Sequence, residues 1–76
     1  MYQEELTAEE IQQMYYSALD SVTLINALMA LSSRDDDQTD TVARNVEHLK
    51  IMVRKSYWTD DQDLAPLHAA ITAGGG

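Results

Sequence analysis

Residues Ile11 to Leu31 read IQQMYYSALDSVTLINALMAL. Within that stretch Ile11, Tyr15, Ala18, Val22, Ile25 and Met29 recur at alternating steps of four and three, the spacing that lines one buried face of an α-helix. Leu24, Leu28 and Leu31 add a second stripe beside the first. The C-terminal half of this helix is therefore apolar over more than half of its circumference. One partner helix does not cover so wide a surface, and the excess points to association.

Working outward, Thr7-Ala8-Glu9-Glu10 reads as a capping box, in which the Thr7 hydroxyl and the Glu10 carboxylate each satisfy a backbone donor of the other. Helix 1 is expected from about 8 to 32, after a frayed lead-in at 1–6. The stretch from Ser32 to Gln38 is polar throughout and reads as a solvated connection between antiparallel helices. Helix 2 is expected over about 40–58, with Val42, Val46, Leu49 and Val53 as its core stripe and Tyr57 continuing it. Folded back on helix 1, it sets Arg54 and Lys55 beside Glu9 and Glu10. Thr59 to Asp63 is a second acidic turn. Pro66 belongs in the first turn of a helix rather than its interior, so Asp63 is read as the cap of helix 3, over about 64–73. Leu67 and Ile71 face the core, Gly74 ends the helix, and 74–76 read as a flexible tail.

At 76 residues the chain is one domain, near the size at which a single core is only marginally sufficient. It has no cysteine, so neither disulfides nor thiolate metal sites supplement that core. The longest apolar run is interrupted by Thr23 and Asn26, too short to span a membrane. The acidic start is unlike a signal or transit peptide. The expected location is cytoplasmic.

The net charge of −8 disfavours nonspecific binding to nucleic acid or anionic lipid. It is unevenly spread. Arg44, Lys50, Arg54 and Lys55, four of the five cationic residues, all lie in the expected helix 2. At 100° per residue, Ile51 and Trp58 fall among these cations, on the face with Arg44, His48, Arg54 and Lys55. An exposed Ile–Trp pair rimmed by cations has the composition of a partner-binding spot, and cover by helix 3 or a second subunit is the alternative.

No catalytic constellation emerges. Asp35-Asp36-Asp37-Gln38-Thr39-Asp40 begins like a calcium loop but has Asp40 where the turn needs glycine and Val46 where it needs a bidentate glutamate. His48 and His68 are the only histidines and have no ligand at metal-binding spacing. Ser17 and Ser21 have no histidine at local spacing. The chain is read as a non-enzyme without metal or cofactor.

Leu19-Asp20-Ser21-Val22-Thr23-Leu24-Ile25 resembles the stretch of acyl carrier proteins that bears a phosphopantetheine on its serine. Those proteins place that serine at the head of a second helix, whereas Ser21 is expected mid-helix. A different resemblance covers about 41–74. Asn45-Val46-Glu47-His48-Leu49-Lys50-Ile51-Met52, followed by Trp58 to Leu67, resembles segments of small uncharacterised helical proteins of phages and prophages. It implies a phage accessory or assembly protein, or a small inhibitor of a host protein, and carries no catalytic residues.

The expected fold is all-α: an antiparallel helical hairpin with a short third helix, dimerising through Leu24, Leu28 and Leu31 into a four-helix core. The expected function is a protein–protein interaction module whose unidentified protein partner meets Ile51, Trp58, Arg54, Lys55 and Arg44. The competing reading is a small acidic inhibitor that mimics nucleic acid on a host protein's basic site. An acyl carrier modified at Ser21 is third.

Overall fold

The computed structural model describes residues 6–76, where it is all-helical: α1 (Ala8–Met29), α2 (Asp36–Val53) and α3 (Ala65–Ala73), with no strand among the described residues. The frayed lead-in expected at 1–6 lies, apart from Leu6, outside them. The start of α1 is the expected capping box. The Thr7 N–H donates to Glu10 Oε1 at 3.0 Å and the Glu10 N–H to Thr7 Oγ1 at 3.1 Å. Its end comes at Met29 rather than near 32. Arg34 caps this end: its Nη1 donates to the carbonyls of Leu28 (3.3 Å) and Leu31 (3.2 Å), the former also accepting the Leu31 N–H at 3.2 Å. Leu31 therefore sits just beyond α1.

The second helix begins earlier than expected, at Asp36 rather than near 40. Asp35 and Gln38 form a second capping box: the Gln38 N–H donates to Asp35 Oδ1 at 2.7 Å and the Asp35 N–H to Gln38 Oε1 at 3.0 Å. Asp36 and Asp37 then occupy the first turn, where the helix dipole favours anions. The acidic connection is thus largely helix cap. Asp35→Ala should lower stability by about 1 kcal/mol, read as a lower urea midpoint at unchanged slope.

The other end of α2 also departs from expectation. The helix stops at Val53, so Arg54, Lys55, Tyr57 and Trp58 lie outside it. Two donors converge on the Met52 carbonyl there, the Lys55 N–H at 3.1 Å and the Trp58 indole Nε1 at 2.7 Å. The expected pairing of Arg54 and Lys55 with Glu9 and Glu10 does not form, because the helix that was to carry them alongside α1 has ended. The ion pairs among the described residues are Arg44–Asp40 (2.9 Å) and Lys50–Glu47 (3.3 Å), both within α2.

Asp63 serves α3 from one position further out than expected. Its Oδ1 accepts the Ala65 N–H at 3.0 Å while Leu64 is the cap residue, and Pro66 lies in the first turn. Gly74–Gly76 form the helix-ending turn and not a loose tail. Gly75 takes a left-handed φ of 88°, and its N–H and that of Gly76 donate to the Thr72 and Ile71 carbonyls at 3.1 and 2.9 Å. This is the paired bonding of a Schellman motif. A Cβ on Gly74 would run into a Val46 methyl, so the bare backbone lets the end of α3 close on α2.

One core joins the three helices. Ile25, Leu49 and Leu67, one from each, are its largest fully buried side chains. Ala18, Val22, Val42, Val46, Met52 and Ala70 fill in around them. Met52 takes the innermost place expected for Val53, which packs half-buried beside it, as do Tyr15, Met29 and Ile71. The rings of Tyr15 and Trp58 meet edge-on at 6.2 Å, which sets the start of α1 beside the end of α2 and makes the hairpin antiparallel. At 1.5 Å per residue, the 9 residues of α3 span about 14 Å against about 33 Å for the 22 of α1. Much of α1 therefore has no third-helix cover.

Candidate interaction surface

The Ile51–Trp58 spot does not assemble. Ile51 is 57% exposed on the solvent side of α2, but Trp58 leaves the helical phase with the end of α2 and turns inward. Its ring packs half-buried against the core, at 6.2 Å from Tyr15 and 4.8 Å from Tyr57, both edge-on. The indole N–H is already engaged by Met52. Arg44 points to Asp40, and Arg54 and Lys55 are exposed in the turn after α2. What remains is one exposed isoleucine among scattered cations, ordinary surface by itself.

Trp58 opens a polar knot that ties the α2–α3 connection to α1. Gln62 is 8% exposed, yet its amide is satisfied on both sides. Oε1 accepts the Thr59 N–H (3.0 Å) and hydroxyl (2.9 Å), while Nε2 donates to Gln12 Oε1 at 2.8 Å. The Tyr15 hydroxyl adds a bond of 2.6 Å to the Asp63 carbonyl. The second acidic turn thus holds a joint between helices. Gln62→Ala should cost about 1–3 kcal/mol, because it strands the Thr59 and Gln12 polar groups in a partly dry site; a thermal melt would show it. A hollow of about 480 Å³ lies beside this joint, lined in part by Glu9, Gln12, Asp61 and Gln62.

The continuous apolar surface is on α1. Leu24 is 40% exposed and Leu31 42% exposed, with Leu28 between them half-buried against the core. These are the three residues expected to form an interface, and they lie together at the end of α1 and in the turn just after it. The structure adds what apolarity alone did not reveal. Continuing the same three-and-four spacing backward reaches Ser21, Ser17 and then Met14, which is 39% exposed. A shallow hollow of about 280 Å³ opens there, lined by Glu10, Gln13, Met14 and Ser17. One seam therefore runs along α1, leucine-rich at one end and small and hollow at the other.

Other chemistry is thin. Ser21 lies in the middle of α1, and His48 and His68 are exposed on separate helices. Among the described residues no group of three or more His, Cys, Asp or Glu is placed to hold a metal ion. No helix among them is long and apolar enough to cross a membrane. Comparison of the chain with family models, curated proteins and solved structures finds no match.

Proposed function

We propose that this chain is a non-enzymatic protein–protein interaction module that self-associates through the exposed seam of α1. The observation that carries the reading is the exposure of Leu24 and Leu31, flanking Leu28, at the C-terminal end of α1 and in the turn just after it. Pairing two hairpins across this face gives a four-helix core and removes that apolar surface from water, at about 25 cal/mol per Å². A phage accessory or assembly protein is the wider role proposed for such a module. The acidic-mimic reading loses ground because Asp35 to Asp37 are accounted for by the cap and first turn of α2.

Thermal unfolding over a wide range of protein concentration tests the reading. Mass action makes the midpoint of a self-associating fold rise with concentration. A midpoint independent of concentration would overturn it.

A further inference from the structure

We infer that the occupant of the α1 seam is a second copy of this chain lying antiparallel, with the leucine end of each α1 seated on the small, hollow end of the other. The inference rests on the self-association proposed above and specifies its geometry. On α1, Met14, Ser17, Ser21, Leu24 and Leu28 alternate steps of three and four, the spacing of a two-helix seam, and Leu31 follows in the turn just after the helix. In an antiparallel pair their order reverses across the contact. Ser21 then faces Leu24, Ser17 faces Leu28, and Met14 faces Leu31, each pair occurring twice about one two-fold axis. Every leucine meets a smaller or more pliable residue, and the hollow at Met14 and Ser17 receives Leu28 and Leu31 of the second copy. A parallel pair would instead set leucine on leucine at one end and serine on serine at the other, leaving the hollow open.

Charge supports the same direction. Parallel packing would bring Glu9 and Glu10 of both copies together at one end. The antiparallel register separates them and brings the Glu10 turn toward Arg34 of the second copy, although the Glu10 carboxylate also accepts its own Thr7 N–H and the Arg34 guanidinium also donates to its own Leu28 and Leu31 carbonyls. Arg34 has no carboxylate within ion-pair distance among the described residues of its own chain.

The chain has no cysteine, so introduced thiols report the register without background. Ser17→Cys and Leu28→Cys would be made as separate single variants, mixed in equal amounts and oxidised, and the products resolved by mass. The expected result is a Ser17→Cys/Leu28→Cys cross-link in excess of either self-linked product. Met14→Cys with Leu31→Cys, at more exposed positions, repeats the test if Leu28→Cys alters helix content. Residues eleven apart on one helix are about 16 Å distant, beyond the roughly 7 Å that a disulfide bridges between Cα atoms, so self-linking at position 17 requires a parallel pair. Dominant self-linked product would overturn the antiparallel geometry and leave self-association standing. A wild-type dimer by sedimentation with no cross-link in either mixture would place the contact on another face and also overturn it. A wild-type monomer would overturn the self-association reading itself.

Discussion

Leu49→Ala should remove about 2–5 kcal/mol of folding stability, the largest loss expected from shortening one side chain in this molecule. Leu49 is fully buried on α2 and shares the centre of the core with Ile25 of α1 and Leu67 of α3. A cavity at that point loosens all three helices together. A domain of 76 residues has roughly 4–11 kcal/mol to lose at typical stability per residue, so the variant should give up a large share of it. Urea denaturation at one fixed protein concentration measures the loss, and fixing the concentration removes any contribution from association. Val53→Ala, at a half-buried position on the same helix, is the comparison and should cost distinctly less. Equal losses would mean that the core is not centred where these burials place it.

Leu24→Glu should have the opposite signature, little change in the fold of one chain and a large change in association. Leu24 is exposed enough that a glutamate there remains solvated in a single chain. In the proposed dimer the same carboxylate would be pressed against Ser21 of the second copy, where apolar burial is lost and the charge is desolvated. Two copies carry the change. The combined effect should be about 3 kcal/mol or more, a weakening of dimer affinity by about a hundredfold or more. Leu28→Glu would be less informative, because Leu28 also packs on the core and would damage the fold along with the contact.

The parts of the fold legible in the sequence were those with local chemical signals. Thr7 and Glu10 announced the start of α1, Pro66 and Asp63 located the start of α3, and Gly74 marked its end. Of the periodic positions, Ile11, Ala18, Val22, Ile25, Val42, Val46, Leu49 and Leu67 are buried, while Tyr15, Met29, Val53 and Ile71 are half-buried and Met52 and Ala70 fill places the period did not mark. The start of α2 was equally well signalled, by Asp35 three residues ahead of Gln38, but a run of aspartates has the composition of a loop and hid its own cap. The end of α2 carries no such signal. Neither glycine nor proline stands between Val53 and Trp58, and apolar phase continues through Tyr57 and Trp58. The helix stops because a distant choice wins: the tryptophan lies against Tyr15 and spends its N–H on the Met52 carbonyl. That tertiary contact removed Trp58 from the anticipated partner surface.

The α1 surface was half legible. Three leucines at helical spacing show in any hydrophobic pattern, whereas Ser17 and Ser21 on the same seam do not, since small residues matter there by the room they leave. The capping role of Arg34 was likewise hidden, because a lone cation in an acidic loop reads as solvated until the end of α1 is seen beside it.

Sedimentation equilibrium at several concentrations, on wild type and on Leu24→Glu with matched helix content by circular dichroism, tests the central claim most directly. Self-association through α1 predicts a wild-type mass approaching twice the 8.5 kDa of one chain, and a single-chain mass for Leu24→Glu over the same range. A wild type that stays at single-chain mass, or a Leu24→Glu variant that associates as strongly as wild type, would contradict it.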